Sequence, residues 1–238
     1  MDNAIYAALT RQSGLMGEMR AIANNMANAN TTGFRREGVL FSEYMVPLDG
    51  NGETLAMANV RGRMVDLEQG GMTLTHGTYD LAIDGEGFFM VQTPQGNRLT
   101  RAGAFLTNAD GEIVNSDGYQ LLDDGQAPIV IPPGSKSVGI GSDGTVSADG
   151  QPLGKVGVFA NPDPSDLRHV AGTLFDPRQA PEPLDNPKVR QGFLEESNVN
   201  PVTEITRMIE VQRAYELGQS FLDQEDQRIR QAITSLTR

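Results

Sequence analysis

Apolar residues near the start of the chain recur at alternating spacings of three and four. Ile5, Ala8, Leu15, Met19, Ile22, Met26 and Ala29 form the row, Gln12 is its polar member, and Leu9, Met16 and Ala23 widen it on one side. That period predicts an amphipathic helix. No proline interrupts residues 2–30, and the run meets Asn28-Ala29-Asn30-Thr31-Thr32-Gly33, where Asn and Gly tolerate a left-handed cap. Such a helix is roughly 40 Å long. The other end mirrors it. Asn200-Pro201 reads as an N-cap followed by proline at the first helical position, with Glu204 near the positive end of the dipole. Ile205, Met208, Gln212, Tyr215, Gln219, Leu222, Asp226, Ile229, Ile233 and Leu236 then keep a heptad-like spacing. Gln212, Gln219 and Asp226 are polar, which weakens a seam but can fix its register.

Between the helices the period changes to two. From about Leu74 to Arg190, short apolar runs such as Leu81-Ala82-Ile83, Phe88-Phe89-Met90-Val91 and Ile129-Val130-Ile131 are separated by Asp-Gly pairs. The pairs begin at residues 84, 110, 117, 124, 143 and 149, and Asp-Gly between β-prone runs is a strong hairpin signal. The expected fold is therefore α+β. Long terminal helices pack together in coiled-coil fashion (residues 1–33 and 191–238), an extended arm of little period covers 34–73, and an all-β domain, partly open or barrel-like, covers 74–190. The helical stripes have no evident place on the β domain. They are expected to pair with each other, within the chain and between chains.

Charge sharpens this. The net charge is −12, but residues 1–48 carry four acids and four bases and residues 190–238 eight and six, against nineteen and nine between them. Near-neutral ends can pack against copies of themselves with little repulsion. The acidic total and the 6% aromatic content argue against nucleic acid and anionic membranes. No apolar run reaches about 18 residues, so no membrane helix is read. The opening Met1-Asp2-Asn3-Ala4 lacks a basic and then apolar stretch, so no cleavable signal is expected, and Arg35-Arg36 lies too far in for a twin-arginine signal.

No constellation for catalysis emerges. Cysteine is absent, and His76 and His169 are far apart. Gly139-Ile140-Gly141-Ser142-Asp143-Gly144 has the spacing of a dinucleotide loop, but it runs into Thr145-Val146-Ser147 and another turn, where that site needs a helix. Asn108-Ala109-Asp110-Gly111-Glu112 and Asp123-Asp124-Gly125 lack the ligand spacing of a calcium loop. Ser13, Ser42, Ser116, Ser135 and Ser165 lack a nucleophile elbow. Glu195-Glu196 and Glu225-Asp226 read as solvated faces. No cofactor, metal or small-molecule substrate is expected.

The asparagines around the first helix's end are harder to dismiss. A fraying terminus accounts for one or two, not for Asn24, Asn25, Asn28 and Asn30 together. Asn24 and Asn28, four apart, put amides on one face. Amides both donate and accept, so they can bridge backbone groups where a helix becomes an extended chain.

Those residues also carry a family likeness. Asn25-Met26-Ala27-Asn28-Ala29-Asn30-Thr31-Thr32-Gly33-Phe34-Arg35 resembles the N-terminal signature of flagellar rod and hook proteins. Gly192-Phe193-Leu194-Glu195-Glu196-Ser197-Asn198-Val199-Asn200-Pro201-Val202-Thr203-Glu204 resembles their C-terminal signature, and Leu81 to Phe89 their entry to the β domain. The opening residues 1–6 and the short length are most similar to proximal-rod members, with distal-rod members as the alternative. The resemblance implies a subunit of the rod that crosses the periplasm and carries torque. It implies export through the flagellar export apparatus without a cleaved signal, and other rod proteins, the distal-rod protein included, as partners. The residues it points to for subunit packing are Ile5, Leu15, Met19, Ile22, Asn25, Met26, Asn28, Asn30, Gly33, Phe34, Ser197, Asn198, Asn200, Ile205, Met208, Gln212, Tyr215, Leu222, Ile229 and Ile233. On this reading Ile22→Asp blocks assembly and spares the β domain. An adaptor module whose helices only dimerise, and a wall-clearing hydrolase, are the other classes weighed; no carboxylate pair or metal set supports the second.

Overall fold

The two helical periods form helices α1 (Asp2–Ala27) and α2 (Pro201–Leu236) in the computed structural model, which describes residues 2–47, 54–160, 167–177 and 179–236. α2 starts where its cap predicts. Asn200 Oδ1 accepts the N–H groups of Val202 (3.0 Å) and Thr203 (3.2 Å), and Pro201 needs no partner at the first turn. α1 stops at Ala27, six residues before Gly33. Among the described residues no asparagine takes a positive φ; Gly33 alone of the 28–33 run does, at +69°. Asn28 instead closes a local turn, its Oδ1 taking the Thr31 hydroxyl at 3.1 Å.

The segment expected as an extended arm contains two long strands, β1 (Glu37–Pro47) and β2 (Thr54–Val65), paired as a two-stranded sheet. Alternation is weak here because the run is rich in Met, Gly and Ala, so the pairing was not legible. Residues 48–53 of that segment, and Ser165, lie outside the described residues. The chain divides into two units. One holds α1, α2, and β1 with most of β2; the other holds residues 28–36 and 65–199.

The β unit is antiparallel throughout its described ladders. Its main sheet is an open path from Leu167–Ala171 through Leu174–Pro177, Gly96–Thr100, Phe88–Thr93, Gln120–Leu121 and Ile113–Asn115 to Phe105–Thr107. Phe88–Thr93 explains its own continuous apolar run. Phe89 and Val91 face one core with Leu81, Ile113 and Val156, while Phe88 and Met90 face a second with Leu99, Phe159 and Phe175. A strand buried on both faces needs apolar residues at every position. The Asp-Gly signals become turns. Asp149 and Gly150, at φ +50° and +80°, join Thr145–Ala148 to Gln151–Lys155 in the two-residue turn whose twist suits a hairpin. The Gly139–Gly144 segment is likewise strand and turn, with Gly144 at φ +88°.

Candidate subunit-packing site

In the helical unit, α1 and α2 run antiparallel and are registered by three polar contacts. Gln12 Nε2 donates to the Tyr215 carbonyl at 3.0 Å. Glu18 accepts both Nε and Nη2 of Arg207 at 2.7 Å, and this bonding holds the Arg207 pKa above its ordinary value. Asn25 Nδ2 donates to Glu204 Oε2 at 3.0 Å. Gln12, Glu18, Asn25 and Glu204 are all buried. A buried polar group costs stability when its partner is displaced, so three such contacts disfavour a shifted pairing.

Small residues complete the seam. Gly14, Ala21 and Ile22 on α1 are buried, and on α2 Val211 is. A Cβ at Gly218 would lie 2.6 Å from Gln12 Nε2, so the helices approach closely there. On α1 the seam keeps Gln12 and Ile22 of the expected row, whereas on α2 it is rotated from the expected stripe. On α2 it follows Glu204, Val211 and Gly218, a seven-residue spacing the apolar count passed over because two of its members are not apolar.

The expected packing residues divide accordingly. Ile22 and Asn25 are buried; Ile5, Leu15, Met19, Met208, Tyr215, Leu222 and Ile229 are half-buried; Met26, Ile205, Gln212 and Ile233 are exposed. Ile22, at 4% exposure, belongs to the chain's own core, so Ile22→Asp reads folding of the helical unit and is no clean test of assembly. Asn25 bridges backbone groups of the chain that follows α1. Its Oδ1 accepts the Glu37 N–H at 2.9 Å and its Nδ2 donates to the Glu37 carbonyl at 2.9 Å, docking the first residue of β1. Asn25→Ala is expected to destabilise the helical unit by about 2–3 kcal/mol, as buried backbone groups lose their partners. Asn25→Asp keeps an acceptor but sets a second carboxylate against Glu204. Urea unfolding at neutral pH should show a loss of stability, because two like charges then face each other.

In the β unit a second cluster joins segments far apart in sequence. Gly33 N–H donates to the Glu195 carbonyl at 2.8 Å, and Phe34 is fully buried against the His169 ring at 5.2 Å. Asn198 acts as a bracket: its Oδ1 accepts Arg36 N–H at 2.7 Å, and its Nδ2 donates to the carbonyls of Asp66 (3.1 Å) and Glu68 (2.9 Å). Ser197 Oγ caps the Val199 N–H at 3.2 Å, and Asn30 is exposed.

Glu195 corrects the sequence reading. It is completely buried, not solvated: Oε1 lies 2.7 Å from Arg35 Nη1 and accepts Gly70 N–H at 3.0 Å, and Oε2 lies 3.4 Å from Arg101 Nη1. Its partners are 160 and 94 positions upstream, so neighbouring residues gave no sign of the pairing. Arg101 also donates to the carbonyls of Ile83 and Gly85, and Arg35 to that of Glu68. Burial lowers the pKa of both guanidiniums, Arg101's to about 10, with Glu195 pulling the other way. With its pKa at about 10, Arg101 remains charged at neutral pH. Glu225 and Asp226, by contrast, form helical-surface pairs with Arg228 and Arg230.

The loops weighed as calcium fragments cap their own turns. Asn108 Oδ1 accepts the N–H groups of Asp110 and Glu112, and Asp123 Oδ1 accepts that of Ala127. Both clusters of buried charge and amide hold backbone segments in place.

Comparison with known proteins matches three segments. A model described as "Flagella basal body rod protein" matches residues 5–35. One for the D1 domain of the flagellar hook protein FlgE/F/G matches 82–148, and one for the flagellar basal body rod FlgEFG protein C-terminus matches 190–235. The flagellar basal-body rod protein FlgF of Caulobacter vibrioides is 41% identical over 242 residues, covering 99% of this chain and 98% of the relative. FlgF of Mesorhizobium japonicum is 35% identical with the same coverage, and FlgG of Bacillus subtilis 32% identical over the full length of both chains.

Proposed function

The chain belongs to the flagellar basal-body rod protein family and is FlgF-like, and from that premise we propose how it is built into the rod. It is a structural subunit of the basal body, not an enzyme, and it assembles with other flagellar axial proteins. In our reading its place is the proximal rod, within the periplasm, reached through the flagellar export apparatus. Residues 1–33 and 191–238 contribute to a tubular axial core by coiled-coil-like packing between subunits. Residues 34–73 form an arm that locks neighbours together, and residues 74–190 form a body outside the core. Torque then passes through the stiff, helix-packed tube.

One observation carries this reading. The α1/α2 seam is made largely of small and polar residues with Ile22 and Val211, while many of the larger apolar side chains stay exposed. Tyr6, Leu9 and Met16 on α1, and Ile205, Ile209, Leu217 and Phe221 on α2, are 37–73% exposed. A helix pair that keeps its amides inside and its aliphatic rows outside is suited to association, at about 25 cal/mol per Å² of apolar area covered, before ordering costs.

The test uses those exposed positions. The double variant Leu9→Asp, Ile209→Asp is expected to keep the circular dichroism and melting of the wild-type monomer, within about 0.5 kcal/mol as for surface substitutions. It should abolish motility and be missing from purified basal bodies. Normal swarming by this variant would overturn the packing reading.

A further inference from the structure

α2 has 36 residues and α1 has 26. With Gln12 opposite Tyr215 and Glu18 opposite Arg207, α2 residues past Glu225 run beyond the start of α1. This overhang carries Ile229 and Ile233 one turn apart, Ile233 being 56% exposed. Arg228 and Arg230 flank Ile229, with Glu225 and Asp226 one turn before it.

Beside the same end of the hairpin lies a groove of about 510 Å³ between α1 and α2. Ala7, Ala8, Leu15, Leu217, Gly218 and Phe221 line it, and Arg11 stands on its border. Small residues on both walls leave room for a third helix. Gln12 belongs to its lining and is 8% exposed; its Nε2 is committed to Tyr215, but its buried Oε1 accepts no hydrogen bond. A buried acceptor without a donor costs about 1–3 kcal/mol. The groove therefore lacks two things, apolar cover and one N–H donor, and Arg11 gives it one positive charge.

We propose that the α2 overhang of a second copy of this chain seats in this groove. Ile229 and Ile233 cover the alanines and Leu217, an arginine N–H of the overhang reaches Gln12 Oε1, and Glu225 or Asp226 meets Arg11. A chain cannot fill its own groove this way, because α2 is one continuous helix through Leu236 and its overhang points off the hairpin's end. The overhang supplies every element the groove lacks, in a segment no longer than three turns. The inference rests on the reading that the chain is an axial subunit.

The chain contains no cysteine, so introduced pairs report cleanly. Basal bodies are purified from cells expressing Leu217→Cys, Ile233→Cys, oxidised mildly, and run on non-reducing gels. More than half of the chain is expected in dimers and higher multimers, with each single variant giving less than a tenth of that yield. Ala7→Cys with Ile229→Cys is the second pair, used if the first disturbs assembly. Chain present in basal bodies without multimers from either pair overturns the overhang contact and leaves the rod reading standing. Equal cross-linking by Leu217→Cys alone does the same. Wild-type chain absent from basal bodies overturns both.

Discussion

Glu195→Ala is expected to cost the β unit about 3–5 kcal/mol, the range for removing one partner of a buried ion pair. The carboxylate is completely buried, and both guanidiniums that face it are nearly so, at 1% and 3% side-chain exposure. With the carboxylate gone, two like charges stay in a region from which water is excluded. Burial already lowers the pKa of both arginines, Arg101's to about 10, and removing Glu195 takes away the main effect opposing that shift. At about 2–4 °C per kcal/mol for a chain of this size, the melting temperature should fall by about 10 °C. Glu195→Gln, which keeps an acceptor for Gly70 N–H, should lose less. The triple variant Glu195→Leu, Arg35→Met, Arg101→Met should recover most of the loss, because an apolar replacement of the whole cluster removes its desolvation cost as well. A drop below 1 kcal/mol for Glu195→Ala would show that solvent reaches the cluster.

This cluster also marks where sequence reading stops. Signals confined to a few residues were legible. The Asn200-Pro201 cap, the Asp149-Gly150 turn and the unbroken apolar run of Phe88–Val91 each became the structure their local chemistry dictates. The α+β class followed from the change of period between helices and strands. Long-range polar pairing was not legible, since a charged residue with no neighbour of opposite sign reads as solvated by default. Glu195 beside Arg35, and Glu18 beside Arg207, are separated by 160 and 189 residues, so only the fold reveals them as partners.

The helix seam failed for a related reason. Counting apolar positions selects the greasiest face, which in an isolated domain is the buried one. Here the close contact is made by Gly14, Ala21, Gly218 and amide or carboxylate side chains, and part of the greasier face is exposed. The period of each helix was therefore read correctly; on α1 Gln12 and Ile22 of the expected row are buried, whereas on α2 the seam lies one residue off the expected row. The asparagine argument finds its mechanism at Asn25, whose amide bridges the N–H and carbonyl of Glu37.

Gly33→Ala should be the second severe substitution, and its size separates two effects that glycine positions usually confound. At φ +69° an L-residue costs roughly 1–2 kcal/mol. Gly33 adds a close approach to another backbone. A Cβ there would lie 2.6 Å from Ala102 Cα, and closer still to Ala102 N and Arg101 C. No rotamer change relieves a contact with main chain, so the segment must move. Moving it strains the Gly33 N–H bond to Glu195, the buried seat of Phe34 and the Arg35 ion pair together. The expected loss exceeds about 3 kcal/mol, beyond the range of most single substitutions. Gly118→Ala is the control, with φ +82° and nothing within 4 Å of its added Cβ. It should lose only the conformational part, about 1 kcal/mol. Urea midpoints of the two variants decide the matter. Equal losses would mean that backbone conformation alone demands glycine at 33, whereas a gap of about 2 kcal/mol or more would mean that the chain between the first helix and the arm is held by direct contact with the Arg101–Ala102 backbone.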